Sequence, residues 1–212
     1  MIVNPKIFDY IEQCILPKYE SFDKAHGREH VDRVIENSLS IASDYDVDVD
    51  KVYVIAAYHD IGLHQGRENH EKHSAEVLRS DSKLEKWFSK DEIILMSEAI
   101  EDHRASNDYV PRNIYGKIVS EADRDLDYII ILTRIVQYSL EHFPNYTLEQ
   151  HYARAYDHMQ KKYGENGYLK LWLDTEINRK NLSMIRSALR SEERFKTDFV
   201  HVFNKCSEEA LY

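Results

Sequence analysis

Apolar residues recur at steps of three and four along most of this 212-residue chain, and that period constrains its fold more than any other feature. Ile7, Phe8, Ile11 and Ile15 form one stripe, opened by Asn4-Pro5 and stopped near Pro17. A longer stripe follows His26-Gly27 and takes in His30, Val31, Val34, Ile35, Ser38, Ile41 and Ala42. A helix puts residues three and four apart on one face, whereas a half-buried strand needs strict alternation. Only six glycines and four prolines punctuate the chain, too few for the tight turns of an all-β architecture.

Later segments keep the period. Helices are expected from Glu71 to about Ser80 and from Lys90 to Arg104, the latter with Ile93, Met96, Ile100 and His103 in register. Another runs from Asn113 to Asp127 through Ile114, Ile118, Val119 and Ala122. DYIIILTRIVQYSLEHF reads as a strongly apolar helix ended by Pro144. Thr147 and Gln150 have the spacing of a capping box for a helix reaching Tyr163. Gly164 and Gly167 then break the chain before a last helix, Tyr168 to Arg190, carrying Leu171, Trp172, Thr175, Leu182, Ile185 and Leu189. VYVIAAY is ambiguous, because its β-branched and aromatic residues also suit a buried strand. The helical reading has Asp48 or Asp50 as a cap and Gly62 at the C′ position, and no partner strand is evident elsewhere. The expectation is an all-α fold in a single domain over 1–212.

Charge narrows the function classes. The net charge is −10, from 38 acidic and 28 basic residues. A broad nucleic-acid face is not expected, since phosphate neutralisation needs clustered Lys and Arg. A small phosphorylated substrate is compatible with this balance, and so is a homodimer. Cys14 and Cys206 match no metal or redox spacing and suit a reducing compartment. The N-terminus has acids inside its apolar stretch and lacks the basic start of a signal peptide. No apolar run approaches the roughly 18 residues of a membrane span. A cytoplasmic location without membrane association is the expectation.

Seven of the eleven histidines lie at or before His103. The ligand-capable residues near helix ends or on apolar faces are His30, His59, Asp60, His70, His103 and Asp123. Imidazole and carboxylate without thiolate suit a hard or borderline divalent ion such as Mn, Mg, Fe, Co or Ni. Adjacent helical residues point about 100° apart, so His59 and Asp60 reach one ion only over the seam between them. The remaining ligands must then come from other helices. A lone histidine on an apolar face is more often a hydrogen-bonded core residue, and an isolated His-Asp pair carries almost no weight. The ordered combination carries the weight.

That combination resembles the HD superfamily of metal-dependent phosphohydrolases. HGREHVDRV, at His26–Val34, looks like the family's first motif, YHDIG at Tyr58–Gly62 like its second, and SEADRDLD at Ser120–Asp127 like its last. The resemblance covers about 22–130, with helices over 131–212 expected to pack on that core. It implies an all-helical bundle holding a divalent metal through His30, His59, Asp60 and Asp123. His70 and His103 resemble the extra histidines of two-metal members, and are otherwise outer residues able to protonate a leaving oxygen.

For catalysis, Asp60 is expected to ligate and to orient the attacking water. Arg33, Arg104, Lys117 and Arg124 are candidate phosphate contacts, by proximity to the motifs. His26 is assigned a capping or outer role, His73 can substitute for His70, and His64 faces solvent or substrate. His142, His151, His158 and His201 follow no pattern. The leading reading is hydrolysis of a phosphoester or phosphoanhydride in a small metabolite, with a nucleotide as first choice. Two alternatives remain open: an HD-type di-iron oxygenase and a non-catalytic nucleotide-binding module.

Overall fold

In a computed structural model, residues 2–22, 26–104, 107, 109–124 and 126–209 are described; Asp125 of the last motif lies outside them. Ten α-helices and three short 3-10 turns account for the regular structure, with no strand among the described residues. The chain divides into two compact units, Met1–Arg124 and Asp125–Tyr212.

The first unit holds α1 (Pro5–Cys14), α2 (Arg28–Ala42), α3 (Val49–Tyr58), α4 (His70–Ser80), α5 (Lys90–Glu101) and α6 (Ile114–Asp123). At its centre is α3, which packs against all five others. Val52 through Tyr58 are all buried, each no more than 2% exposed. A helix that is apolar all round must be buried all round, which explains why VYVIAAY gave no helical stripe. Asp48 caps it, its side chain accepting from the Asp50 amide. Polar clamps fix its far end. Tyr19 donates to the Ala57 carbonyl at 2.9 Å. The hydroxyls of Tyr58 and Tyr10 both donate to one oxygen of Asp81, at the end of α4.

The second unit holds α7 (Tyr128–His142), α8 (Leu148–Tyr163), α9 (Glu176–Arg190) and α10 (Glu192–Glu209). Its core joins Leu132, Val136, Met159, Ile185, Phe195 and Phe199. The Thr147–Gln150 capping box is present. Two expectations for this unit need correction. Tyr168 to Asp174 is not helical; Thr175, assigned to the interior of a helix, is instead the N-cap of α9 and accepts from the Asn178 amide. A further helix, α10, follows after the single residue Ser191, whose hydroxyl accepts from the Arg194 amide. Phe195, Phe199, Val202 and Cys206 form its buried stripe.

Candidate metal centre

Every ligand-capable residue singled out in the sequence belongs to the first unit, and the helices bring all six together. His30 comes from the first turn of α2, and His59 and Asp60 follow directly on the end of α3. His70 opens α4, His103 lies just beyond α5, and Asp123 closes α6.

Asp60 is the junction. Its Oδ2 lies 3.7 Å from His30 Nε2 and 3.5 Å from His59 Nε2. Its Oδ1 lies 3.2 Å from His70 Nε2 and 3.5 Å from His103 Nε2. Asp123 Oδ1 stands 3.3 Å from His30 Nε2 and 3.9 Å from His59 Nε2. Two groups with ligand spacing result, His30–His59–Asp60 and Asp60–His70–His103, sharing one carboxylate. His59 and His103 are buried, whereas the side chains of His70 and Asp123 are 13% and 23% exposed and open the site to solvent.

The tautomers can be assigned from partners. His59 Nδ1 lies 2.7 Å from the Ala56 carbonyl, His103 Nδ1 2.6 Å from that of Ile100, and His70 Nδ1 3.0 Å from that of Arg67. A carbonyl only accepts, so each Nδ1 carries the hydrogen and donates it. In the neutral ring Nε2 is then a lone pair aimed at the centre, which is how outer partners orient metal-binding imidazoles. Asp60 Oδ1 is buried without a hydrogen-bond partner. Lone pairs facing a carboxylate oxygen in a buried space need a proton or a cation between them. The residues therefore fit a divalent metal.

The electrostatics agree. Burial opposes charge on Asp60, yet His59, His103, His30 and His70 hold its carboxyl well below the usual range. Asp123 is likewise held low, against its burial, by His30 and His59. Burial also opposes a charged His30, but Asp123 and Asp60 outweigh it and raise that imidazole to about 9. His59 goes the other way, to about 4, because burial dominates there. His103 is raised by Asp60 and Asp123 despite its burial. Without metal, a proton on His30 takes part of the cation's place.

Residues that read as ordinary in the sequence hold the ligands in position. Gly62 does not end a helix at C′; it lies in the 3-10 turn Ile61–Gln65, and its amide donates to Ser74 Oγ of α4 at 2.8 Å. A Cβ there would stand 2.4 Å from the His70 carbonyl oxygen, so α4 itself fills the space beside Gly62. Buried Asp102, beside His103, accepts from the Arg112 amide at 2.7 Å and from Arg112 Nε. Buried Glu71 has Oε2 3.6 Å from His70 Nδ1 and 3.4 Å from Arg104 Nη1. A buried acid next to a ligand histidine was the available signal for both Asp102 and Glu71.

The cations divide. Arg104 is 40% exposed at the mouth beside Glu71, and Arg33 is half-buried one turn after His30 on α2. The other two candidate phosphate contacts have different settings. Arg124 is buried in an ion pair with Glu121 at 3.1 Å, so its charge is already matched inside the unit. Lys117 lies six residues before Asp123 on α6, roughly two-thirds of a turn round the helix and on a different face. His26 does not cap α2, whose N-cap is Gly27. Its Nε2 faces Arg67 Nη2 at 3.1 Å. His73 belongs to neither ligand group and packs its Cβ beside Gly62. His151, in the second unit, bonds Ser139 at 2.7 Å.

Residues 27–126 match the HD domain family. No curated protein matches the chain significantly. The chain is also similar to the crystal structure of a predicted HD superfamily hydrolase from an uncultured Thermotogales bacterium. That similarity is 23% identity over 95% of this chain and 91% of the other, with a TM-score of 0.55, and it establishes a shared fold.

Proposed function

This chain is an HD-domain protein through residues 27–126, and on that premise we propose that it is a metal-dependent phosphohydrolase acting on a small phosphorylated metabolite, most simply a nucleotide. The observation that carries the reading is the shared carboxylate of Asp60, each oxygen of which faces its own pair of imidazole nitrogens. His30, His59, Asp60 and Asp123 would hold one divalent ion, and Asp60, His70 and His103 a second. When bound, such ions lower the pKa of water toward neutrality and polarise a phosphoryl oxygen.

The chain's own residues supply the rest. Asp60 and Asp123, held ionised, remain available to ligate and to orient water by accepting hydrogen bonds from it. Arg104 and Arg33 offset charge on the phosphoryl oxygens, Arg104 leaving Glu71 to do so. The placement of His70 and His103 on Asp60 Oδ1 supports a ligand role for both over a role as leaving-group acids.

The deciding experiment pairs Asp60→Ala with metal analysis and a phosphate-release screen over nucleotides, each with Mn, Mg, Fe, Co and Ni. Loss of bound metal and of release together is expected; an active Asp60→Ala protein ends the reading. The paired histidines at Asp60 also suit a di-iron oxygenase. A coupled di-iron spectrum after aerobic loading, without phosphate release, would favour that instead.

A further inference from the structure

A cavity of about 400 Å³ opens beside the metal centre, lined by His26, His64 and Arg67 together with Phe22, Leu63 and Gly66. This volume suits a small-molecule site. It adjoins the centre through His26, whose ring centroid lies 6.0 Å from that of His30. The chain is strongly acidic, yet no described residue lining this cavity is an acid. The polar side chains at its wall are Ser21, His26, His64 and Arg67, and the Arg67 guanidinium is the group suited to an anion.

The hydrogen bonding orients Arg67 for an anion, whereas both nitrogens of the neutral His64 ring are already engaged. Arg67 can only donate, so His26 Nε2 accepts from it and orients the guanidinium. His64 Nδ1 donates to the Ile61 carbonyl at 2.8 Å, and its Nε2 accepts from the Gln65 amide. The backbone of this stretch is committed as well. Gly66 has φ +103° and Asn69 has φ +56°, so the loop carrying Arg67 turns through left-handed conformations before α4 begins. Left-handed backbone is open to glycine and tolerated by asparagine, and it fixes where Arg67 stands.

We propose that this cavity binds a second phosphate of the substrate, so that the centre selects molecules with two consecutive phosphates over phosphomonoesters. The inference rests on the phosphohydrolase reading above. With the terminal phosphoryl group at His30 and Asp123, the next phosphate along a phosphoanhydride reaches His26 and Arg67. Phe22 and Leu63 then offer an apolar wall to whatever lies beyond.

The test uses the full-length, metal-loaded protein and its Arg67→Ala and Arg67→Lys variants. Steady-state hydrolysis is compared for a nucleoside 5′-diphosphate and the matching 5′-monophosphate. Wild type should prefer the diphosphate in kcat/KM, and Arg67→Ala should shrink that preference by about tenfold or more, mainly through KM, with Lys restoring part of it. A preference for the monophosphate, or one unchanged by Arg67→Ala, overturns the second-phosphate site and leaves the phosphohydrolase reading intact. Absence of any hydrolysis sinks that reading itself. Calorimetric titration with inorganic pyrophosphate then decides on the cavity: weaker binding to Arg67→Ala than to wild type supports it, and equal or no binding overturns it.

Discussion

Replacing Gly62 by alanine tests how the fold holds the two halves of the site together. The added Cβ would meet the His70 carbonyl oxygen and the Ser74 amide nitrogen at 2.4 Å, and His73 Cβ at 2.8 Å. Ordinary contact begins at 3.4 Å, so α4 must retreat by about 1.0 Å, the difference between 3.4 and 2.4. Retreat breaks the 2.8 Å bond from the Gly62 amide to Ser74 Oγ and carries His70 away from Asp60, which it now meets at 3.2 Å. Overpacking of this kind costs about 1–3 kcal/mol. The stranded buried amide adds about 1–3 kcal/mol. At about 4 °C per kcal/mol for a unit of this size, the melting temperature should fall by roughly 8–24 °C.

Metal content is the sharper readout. Ligand distances tolerate about 0.2 Å, so a shift near 1 Å should empty the His70–His103 group and spare the other. Ser74→Ala is the control. It removes the hydroxyl at a cost of about 1–3 kcal/mol but adds no atom that pushes α4 away. Differential scanning calorimetry and elemental analysis of the three proteins decide the matter. A Gly62→Ala protein that melts within about 2 °C of wild type with full metal content would refute the close approach of α4 to the turn.

Three further outcomes follow from the same geometry. In the metal-free protein His30 titrates at about 9, above its unfolded value, so its contribution to stability is full below about 6.5 and is lost as the pH rises through 9. A divalent ion at the His30 group must displace that proton, so calorimetry at pH 8 in buffers of different ionisation enthalpy should show close to one proton released from His30 per protein chain; no release would contradict its assignment as a ligand. Asp81→Ala strands the hydroxyl of buried Tyr58 and should cost about 1–3 kcal/mol in denaturant unfolding, whereas Asp81→Asn keeps an acceptor and should cost less. Equal losses for the two would show that the shared carboxylate does not clamp α3. Arg104→Ala removes a half-exposed ion pair worth at most about 1 kcal/mol, so the melting temperature should hardly move. Its KM for the phosphorylated substrate should rise by about tenfold, and an unchanged KM removes Arg104 from the phosphate site.

The helices were legible wherever one face is buried and the other wet, as in α2 and α7, because burial then writes a period into the sequence. Legibility was weakest at the two extremes. With no wet face, α3 shows no stripe, and its helical reading, which the structure bears out, stood on its Asp48 cap and the lack of a partner strand. In the second unit, α9 and α10 meet across one residue with no glycine or proline between them, so no punctuation marks the boundary. Thr175 was misplaced for a related reason, since a capping threonine can fall in step with the stripe it precedes. The candidate cations were harder to read for a different reason. Sequence adjacency to a ligand says little about direction, because the next residue on a helix points about 100° away. Arg124 shows the result, turned inward to Glu121 although its neighbour Asp123 faces the centre.

The ligands themselves were legible for a reason that lies in helix ends. The last carbonyls of any α-helix lack an intrahelical partner. His59 follows directly on the end of α3 and donates to the carbonyl of Ala56; His103 follows α5 and donates to the carbonyl of Ile100, which also accepts from backbone amides of the last turn. One hydrogen bond to the helix terminus thus fixes the tautomer and aims Nε2 beyond the helix end. A histidine one or two residues past an apolar helix is therefore a ligand in waiting, but only if other helices deliver acids to the same point. His64 shows the need for that second condition. It donates to the carbonyl of Ile61 in the same three-residue pattern, yet it is exposed and belongs to neither ligand group. The difference is Asp60, which α3 carries into the space where α2, α4, α5 and α6 converge, and which turns three oriented imidazoles and His30 into one site.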